Sequence, residues 1–532
     1  MAVMSELNKL LYQIPKRAEQ RHVETLRNTF VDSGVGDALD TIDHQILYGR
    51  RGTGKTHALR YLESVRKVAG DLPIYVDLTS LGSPESLFMG QAVDPVERSA
   101  RLFVDLMGHV HEALLTAALE DEQLLANTSF VSRLDGLLEA VTQVRVTGDI
   151  EQSQEGERKA GHSSKGGATA KFSPSSATVS FDTSSASDYN ERETEKTVRK
   201  GSERRSFNVS DIARALRSIG QALNERRIWL MLDEWIAIPP EAQPYMGELL
   251  IRTVSHVPGF TIKIAAIEQQ SRFRQELSPG NYIGIELGAD AAANLDLDEF
   301  MVFEQNEAES RNFFRRLIVS HLIAGIEEKK FNIELPDEET LISKCFTDVR
   351  AFDELVRAAE GVPRDALNVL GTAAANAGSN KVSVPDIRKS ALSWYQRDKA
   401  GALNASPDAL ALLHWVIDEV IRGKKARGFL VNQKDADSLM LMALFDARVL
   451  HLLRRGYSGQ DTPGERYNVY VIDYGAYIDL MQTKFAPQGL LPFFDELEPD
   501  ASSYVDVPPQ DLRSVRRAVV DLATFRARAS HV

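Results

Sequence analysis

One segment, "GRRGTGKT" at residues 49–56, constrains this chain more than any other part of its sequence. It fits the pattern G-x-x-x-x-G-K-[ST] and lies between the strand-like "HQILY" and "ALRYLESV", where apolar residues recur at helical spacing. Gly49, Gly52 and Gly54 permit positive φ and let backbone N–H groups close around an anion. The helix that follows points its positive end at the bound charge. The segment therefore predicts a phosphate-binding loop between a strand and a helix.

The side chains of this loop predict a nucleoside triphosphate, ATP, as the ligand. Lys55 is placed to reach the β- and γ-phosphates, and Thr56 is placed to ligate Mg²⁺. The other residues that we assign to ligand binding are Gly49, Arg50, Arg51, Gly52, Thr53, Gly54 and His57. Of these, His57 is expected to pack on the helix rather than to touch the ligand. The alternative interpretation is a glycine-rich turn without a ligand.

A second acidic motif follows the apolar run at residues 228–232 in "RRIWLMLDEW". Such a run is typical of a strand that is buried on both faces of a parallel sheet. Asp233 is placed to hold Mg²⁺ through water, because the metal needs a carboxylate partner. Glu234 is placed to orient and polarise the attacking water. The pair therefore predicts hydrolysis in addition to binding, and the alternative is an acidic pair that merely ends a strand.

Composition narrows the class of protein. A chain of 532 residues predicts two to four domains, and 43% apolar with 26% charged residues describes an ordinary soluble protein. The single cysteine, Cys345, excludes a disulfide framework and a cysteine metal site, and it fits a cytoplasmic location. No window of 18 consecutive apolar residues occurs, so we expect no membrane span. The net charge of −14 leaves room for a local nucleic-acid site, since the field of a patch decides binding.

The order of elements in residues 1–300 predicts a doubly wound parallel sheet of the α/β class. After the phosphate loop come a strand at 72–81, a helix at 94–119, the acidic strand, a strand in "FTIKIAAIEQQSRFR" and a fifth strand at 282–287. Residues 145–206 are a Ser/Gly-rich insertion with a candidate β-hairpin at 168–182. This insertion is either a mobile surface loop or a segment that orders against a neighbouring subunit, nucleic acid or a partner.

Two further domains follow the sheet. Residues 301–400 have the pattern of a small helical bundle. Residues 401–490 have the order helix, strand, helix and hairpin with a long polar tip, which is the outline of a winged-helix domain. The tail at 491–532 contains an acidic stretch and then a basic helix, "LRSVRRAVVDLATFRARA".

These residues carry a family resemblance. The phosphate loop "GRRGTGKT", the acidic strand "LMLDEW", the bundle motif "EGVPRDAL" and a terminal winged helix together resemble an AAA+ ATPase. Among such proteins the chain most resembles the origin-recognition-complex and archaeal replication-initiator clade, including its bacterial relatives, over roughly residues 20–485 without the insertion. The resemblance implies ATP and Mg²⁺ as cofactors, slow ATP hydrolysis, a helical lid and ATP-dependent assembly into a homo-oligomer.

The resemblance also implies roles for individual residues. Gly361-Val-Pro-Arg364 matches the lid motif of the family, so Arg364 would reach the γ-phosphate and couple the angle of the bundle to the nucleotide. The alternative is a helix start with a solvated arginine. Glu268 or Gln269 falls where the family has its first sensor, usually Asn, Thr or Ser, so this chain departs from the family at the residue that positions the water. Arg272 or Arg274 is either an arginine finger that acts in a neighbouring subunit or a solvated surface arginine.

The C-terminal domain holds candidate contacts to double-stranded DNA. These residues are Lys424, Lys425, Arg427, Arg454, Arg455 and Arg466. Such cations bind phosphates with salt-sensitive affinity, but a few exposed basic residues also serve solubility. The helix "LMLMALFDARV", where a recognition helix would lie, is too apolar to offer many base-reading side chains. A winged helix can also dock a protein.

Three functions remain open from the sequence. The first is an ATP-driven switch that engages DNA. The second is an ATP-gated signalling or anti-phage defence module that docks a partner effector protein. The third is a target selector for transposition or recombination with the same ATPase.

Overall fold

The computed structural model describes residues 4–16, 23–82, 94–142, 144–145, 178–182, 204–223, 225–300, 307–329, 334–404, 406–424, 428–436, 438–458, 464–481 and 518–529. Its strands are β1 (Gln45–Tyr48), β2 (Leu72–Asp77), β3 (Val144–Arg145), β4 (Thr178–Asp182), β5 (Arg204–Asn208), β6 (Ile228–Asp233), β7 (Phe260–Ala266), β8 (Arg274–Ser278), β9 (Asn281–Gly284), β10 (Ala292–Asp296), β11 (Gly428–Asn432), β12 (Leu450–Ser458), β13 (Arg466–Ile472) and β14 (Val519–Val520).

The helices in chain order are α1 (Glu6–Gln13), α2 (Val23–Thr29), α3 (Val35–Leu39), α4 (Lys55–Val68), α5 (Pro95–Glu120), α6 (Glu122–Ala126), α7 (Thr128–Thr142), α8 (Val209–Ala222), α9 (Gln243–Leu250), α10 (Leu297–Phe300), α11 (Glu307–Lys329), α12 (Leu341–Cys345), α13 (Val349–Ala359), α14 (Pro363–Ala377), α15 (Val384–Trp394), α16 (Ala400–Asn404), α17 (Pro407–Val416), α18 (Leu439–Asp446), α19 (Tyr474–Met481) and α20 (Leu522–Ala529). π-Helical turns at Ile251–Ser255, Tyr395–Lys399 and Ile417–Gly423 continue α9, α15 and α17.

The chain forms two compact units. One contains Met1–Asp37, Tyr48–Tyr61 and Asp296–Val532, and the other contains Ala38–Leu47 and Leu62–Leu295. The phosphate loop therefore belongs to the first unit together with the helical bundle, whereas the acidic strand β6 belongs to the second unit.

A five-stranded sheet has the order β10-β1-β7-β6-β2. Strand β6 pairs in parallel with β2 on one side and with β7 on the other. Every residue of β6 and β7 is buried, as the apolar run at 228–232 predicted. The α/β class with a mainly parallel sheet is thereby confirmed. The chain passes from β1 to β2 at one edge and later from β7 to β10 at the other, so β1 lies where the strand order reverses. Ligands of such sheets bind beyond the carboxyl ends of the strands at that position.

The predicted fifth strand at 282–287 is wrong as a member of this sheet. Strand β9 instead pairs antiparallel with β8 in a separate two-stranded hairpin, and β10 takes the fifth position. The reason is the turn "SPGN", in which Gly280 has a φ of 77° that favours a hairpin over a crossover. All five residues of β8 are exposed, as expected for a hairpin outside a sheet core.

The insertion contributes two strands to a small sheet of order β3-β5-β4. We predicted a hairpin at 168–182, but β4 pairs antiparallel with β5, which lies at the far end of the insertion. The alternation of "TVSFD" thus predicted a strand correctly, whereas the sequence did not indicate its pairing with β5. The proposed first arm of the hairpin lies outside the described residues.

Helices α11 to α15 form a bundle with a continuous apolar core. The N-terminal helix α1 joins this core through Leu10 and Leu11, which are 1% and 0% exposed. Asn8 fixes α1 further, since its Nδ2 donates to the carbonyl oxygens of Gly378 at 2.7 Å and Asn380 at 2.9 Å. The helix therefore packs with residues beyond 300, which the assignment of residues 1–300 to one domain did not anticipate.

The C-terminal residues form a four-stranded sheet of order β12-β13-β11-β14. Helix α17, strand β11, helix α18 and the antiparallel pair β12–β13 follow one another in the predicted order. The predicted strand "RYNVYVIDYGAYIDL" ends at Ile472, and α19 then begins at Tyr474 because the carboxylate of Asp473 accepts N–H groups of its first turn. The tail differs from the single basic helix that we predicted, because β14 pairs in parallel with β11 before α20 begins.

Within the described ranges, helix α5 is long and apolar enough by length and composition to cross a membrane. The expectation of no membrane span did not single this helix out. One face of α5 is nevertheless buried inside its own unit, with Phe103, Leu106 and Met107 each 0% exposed. Because a core helix passes the same test, this burial favours a core role for α5.

Candidate functional site

The phosphate loop connects β1, which ends at Tyr48, to α4, which begins at Lys55 and continues for 14 residues. Gly52 and Gly54 have φ values of 91° and 103°, in the region that favours glycine. A Cβ placed on Gly52 would lie 2.9 Å from Cβ of Arg364, so glycine is required there for space as well as for backbone conformation. At Gly54 a Cβ would meet no heavy atom of the described residues within 4 Å.

Lys55 turns its ammonium group back into the loop. Its Nζ donates to the carbonyl oxygens of Gly49 at 2.8 Å and Arg50 at 3.1 Å, and the residue is 7% exposed. The hydroxyl of Thr53 donates to the same carbonyl of Arg50 at 2.8 Å, whereas Thr56 is half-buried in the first turn of α4. A cation, glycine-permitted turns and a helix N-terminus thus lie together, and this donor set fits the oxygens of a triphosphate.

Arg50, which we assigned to the ligand, has its side chain engaged elsewhere in the protein. Its Nε donates to Oδ1 of Asp298 at 2.7 Å, its backbone N–H donates to Oδ2 at 3.0 Å, and its guanidinium also donates to the carbonyl oxygen of Glu360 at 3.0 Å. Burial lowers the pKa of Arg50, but the Asp298 carboxylate raises it above its ordinary value. Arg50 therefore links the loop to Asp298 and to the carbonyl oxygen of Glu360 in the bundle. Arg51, which was also assigned to the ligand, is exposed.

Nothing local in the sequence indicates Asp298, because it lies 248 positions from Arg50. Such a pairing appears only once the chain is folded.

The motif Gly361-Val-Pro-Arg364 lies directly on the loop. The backbone N–H of Arg364 donates to the carbonyl oxygen of Gly52 at 3.2 Å. Glu360 and Gly361 have φ values of 47° and 76°, and these two left-handed residues turn the chain from α13 into α14. The structure therefore brings Arg364, which is half-buried, against the phosphate loop. Its role toward a phosphate stays a prediction.

His57 makes its contacts with the N-terminal segment, and a contact with the ligand stays a prediction. Its Nε2 lies 2.6 Å from the carbonyl oxygen of Leu26 and 3.4 Å from the hydroxyl of Thr29. The ring also makes an edge contact with Phe30 at 5.5 Å between centroids. His57 therefore fastens α4 to the N-terminal segment.

The acidic pair lies at the end of β6. Asp233 is 1% exposed, and its two carboxylate oxygens accept from the hydroxyl of Tyr75 at 2.7 Å and from the backbone N–H of Glu234 at 2.9 Å. Glu234 has the left-handed backbone angles φ 55° and ψ 49°. Such a conformation costs about 1–3 kcal/mol in a residue other than glycine and persists only where the surroundings enforce it. Asp233 is thus rigidly oriented, and Glu234 is half-buried.

The candidate sensors and finger arginines follow β7. Glu268 and Gln269 lie in a short 3₁₀ turn directly after the strand, at the position that we predicted, and both are half-buried. Arg274 forms an ion pair with Glu286 at 3.1 Å and covers the ring of Tyr282 at 3.8 Å. Among the described residues no ion pair involves Arg272, whose backbone N–H donates to Gln243 and whose side chain is exposed. Arg272 is thus better placed than Arg274 to reach another molecule.

Four of the six candidate DNA contacts lie within the described residues. Arg455 is half-buried and pairs with Asp296 at 3.3 Å, and its contact with DNA stays a prediction. Burial lowers its pKa. Lys424 donates to the carbonyl oxygen of Val519 at 3.0 Å. Arg454 and Arg466 are exposed on β12 and β13. The remaining two, Lys425 and Arg427, lie outside the described residues.

Part of the chain is similar to a known protein family. Residues 15–64, which contain α2, α3, β1, the phosphate loop and the start of α4, match the family model described as ORC-CDC6-like. The match supports an ORC/CDC6-like AAA+ relationship and, with it, an ATPase-type nucleotide-binding function. No curated protein matches the chain.

Proposed function

We propose that this chain is an AAA+ molecular switch that binds and hydrolyses ATP and uses its lid bundle to report which nucleotide is bound. The observation that carries the proposal is the hydrogen bond between Arg364 and Gly52. It places the first turn of α14 on a loop whose sequence and backbone suit a triphosphate. A charge that enters the loop therefore acts on the bundle directly.

Binding follows from the groups in the loop. Lys55 exchanges its two carbonyl acceptors for phosphate oxygens, which form stronger charge-assisted hydrogen bonds with an ammonium group. The Arg50–Asp298 pair keeps the loop in shape during this exchange. The sequence assigns Mg²⁺ to Thr56 and Asp233, and the ion supplies neutralisation of the phosphate charge when it is bound.

Hydrolysis is assigned to Glu234. Its carboxylate orients a water molecule and accepts a proton from it, and its backbone is fixed by the bond between its N–H and Asp233. Arg364 adds positive charge from the lid. Arg272, with its exposed side chain, supplies charge to the site of a neighbouring subunit in a homo-oligomer that assembles with ATP.

The ATP site is tested by calorimetric titration of the full chain with ATP and Mg²⁺. We expect measurable affinity in the wild type and a loss of at least about a hundredfold in Lys55→Ala. The reason is that the substitution removes the ammonium group of Lys55 and with it the charge-assisted hydrogen bonds to the phosphates. Lys67→Ala is the matched control, since Lys67 lies on the same helix with a largely exposed side chain. Equal affinity in Lys55→Ala and the wild type would refute the assignment.

The C-terminal domain is proposed to be a winged helix that contacts double-stranded DNA through Arg454 and Arg466 on its hairpin. The order of elements and the exposure of these two arginines support it. A second candidate function, docking of a partner effector protein, is favoured by Leu439, which is 86% exposed at the start of α18.

Light scattering coupled to size exclusion separates these two functions. A complex with duplex DNA that requires ATP and weakens with salt would support the first. ATP-dependent assembly without any DNA in the complex would support the second.

A further inference from the structure

A buried lysine holds the helix that carries Arg364. Asp365 follows Arg364 in α14, is 2% exposed and places its Oδ2 2.9 Å from Nζ of Lys399. Lys399 ends the π-helical turn that continues α15 and is itself 2% exposed. The first turn of α14 therefore has the phosphate loop on one side and a buried ammonium group on the other.

The same ammonium group reaches the C-terminal sheet. Nζ of Lys399 donates to Oδ2 of Asp473 at 2.5 Å, and Nε2 of His451, on β12, lies 3.1 Å from that oxygen. The other oxygen of Asp473 accepts the N–H groups of Gly475 and Ala476 in the first turn of α19. One cation thus joins α14 to β12, to the end of β13 and to α19.

Burial makes this connection stiff. A charge that is removed from water cannot be left without its partner except at high cost, so Lys399 and its two carboxylates must move together. A displacement of the first turn of α14 is consequently passed to Asp473 and to the elements that Asp473 caps.

The network also contains the elements of a second arrangement. Among the described residues, Oδ1 of Asp365 has no hydrogen-bond partner, and it faces the guanidinium of Arg448 at 3.8 Å. Arg448 has a left-handed φ of 60° and pairs with Asp398, which is 37% exposed. A shift of α14 toward Arg448 would bring the buried Asp365 within hydrogen-bonding distance of the guanidinium that pairs with the exposed Asp398.

We propose that Lys399 is a positioning residue that couples the nucleotide at the phosphate loop to the C-terminal sheet. This inference rests on the proposed function, since it needs ATP to bind beside Arg364. It adds that the bundle and the C-terminal sheet respond to ATP as one body through Lys399, Asp365 and Asp473, with Arg448 stabilising the shifted arrangement.

Hydrogen exchange measured by mass spectrometry on the full chain, with and without ATP and Mg²⁺, tests the coupling. In the wild type we expect ATP to slow exchange in β13 and α19. In Lys399→Met this ATP-dependent difference disappears, while the affinity for ATP stays within about threefold and kcat for hydrolysis falls about three- to thirtyfold without a matching change in KM. Lys389→Met, which removes an exposed lysine of α15, should leave the ATP-dependent difference in exchange, the affinity for ATP and kcat unchanged.

Two further variants separate coupling from stability. The first is a triple variant that combines Lys399→Met with Asp365→Asn and Asp473→Asn. It removes all three charges together, so none of them is left buried without its partner, and we expect it to fold even where Lys399→Met alone does not. It should also lose the response to ATP, whereas Lys399→Arg should regain part of it. Persistence of ATP-dependent protection in β13 and α19 of the triple variant would overturn the inference. So would a wild type that binds ATP and shows no such protection, whereas a wild type without ATP affinity would overturn the proposed function itself.

Discussion

Arg364 donates its backbone N–H to the carbonyl oxygen of Gly52 at 3.2 Å, and this bond joins the helical bundle to the phosphate loop. Because the bond is made by the main chain, it does not depend on the arginine side chain. Substitution of Arg364 therefore removes the guanidinium without disturbing this contact. Substitution of Gly52 instead disturbs the contact between the helix and the loop.

Substitution of the side chain should slow turnover and spare binding. Arg364→Ala keeps the hydrogen bond to Gly52 but removes a fixed fork of donors for phosphate oxygens, so we expect kcat for ATP hydrolysis to fall by about tenfold or more. The affinity for ATP should change much less. Arg357→Ala, on the preceding helix α13, is the control in a steady-state phosphate-release assay. An unchanged kcat in Arg364→Ala would show that the side chain of Arg364 does not contact the phosphate during hydrolysis.

Substitution of the glycine should instead separate the bundle from the loop. Gly52→Ala places a Cβ 2.9 Å from Cβ of Arg364 and imposes a φ of 91° on alanine. Gly54→Ala also imposes a positive φ on alanine, but its Cβ meets no heavy atom of the described residues within 4 Å. We expect both variants to be destabilised by about 1 kcal/mol or more from the backbone alone, with a further loss in Gly52→Ala. Differential scanning calorimetry compares them. Equal losses in the two variants would show that the contact with Arg364 yields easily.

The water-activating role of Glu234 predicts binding without hydrolysis. Glu234→Gln keeps the size of the side chain and the backbone bond to Asp233 but removes the acceptor for a proton. We expect kcat to fall by about a hundredfold or more, with ATP affinity retained. Single-turnover hydrolysis measures this, and Glu241→Gln, a more exposed acid in the same part of the chain, is the control. Hydrolysis at the wild-type rate would move the general base to another residue.

The Arg50–Asp298 pair predicts a stability effect that the loop sequence does not reveal. Asp298→Ala leaves the Arg50 guanidinium buried without its carboxylate, so we expect a loss of about 3–5 kcal/mol in the free energy of unfolding and weaker ATP binding. The double variant Arg50→Met with Asp298→Leu should recover much of the loss, because no charge is then stranded. Chemical denaturation of the three proteins decides the matter, and no recovery in the double variant would mean that shape rather than charge governs this contact.

The limits of the sequence follow from which contacts are local. The phosphate loop, the buried strand β6 and the helical pattern of residues 301–400 were predictable, because each depends on spacing within one element. The partners of Arg50, Arg455 and Lys399 were not, since each joins residues that are far apart in sequence. The segment "LLRRGY" likewise gave no sign that Arg455 pairs with Asp296, which lies 159 positions away.

Strand pairing shows a similar division. The alternation in "TVSFD" predicted β4, but only the folded chain shows that β5 is its neighbour. The turn "SPGN" was a usable indication of the β8–β9 hairpin, and it outweighed the strand propensity of "YIGIEL" for the central sheet.

Cys345 provides a single thiol with which to observe the bundle. It is 1% exposed, and burial raises the pKa of its thiol to about 12, so little thiolate exists near neutral pH. We expect an aromatic disulfide reagent to react at pH 8 only through opening of the bundle, and ATP to slow the reaction by tightening the loop against Arg364. Lys55→Ala should show the slow reaction without any effect of ATP. Rapid labelling of the native wild type would contradict the burial of this cysteine.

Lys263 predicts how stability changes with pH. It is 0% exposed in β7 and donates to the carbonyl oxygens of Thr41 at 2.8 Å and Asp43 at 2.9 Å, yet burial lowers its pKa to about 7. In the unfolded chain the pKa returns to its ordinary value, so between pH 7 and 9 the unfolded state holds a proton that the folded state has released. Stability therefore rises with pH across this window, by up to about 1.4 kcal/mol per pH unit from this group.

The variant Lys263→Met isolates that contribution. Urea unfolding at pH 7, 8 and 9 should show the wild type gaining stability relative to Lys263→Met as the pH increases, because only the wild type relieves a buried charge. Below pH 7 the difference in stability between the two proteins should become constant, since Lys263 is then protonated in both the folded and the unfolded chain. A difference that does not change between pH 7 and 9 would show that the three acceptors around Lys263, which include Gln45, keep the ammonium form in the folded protein.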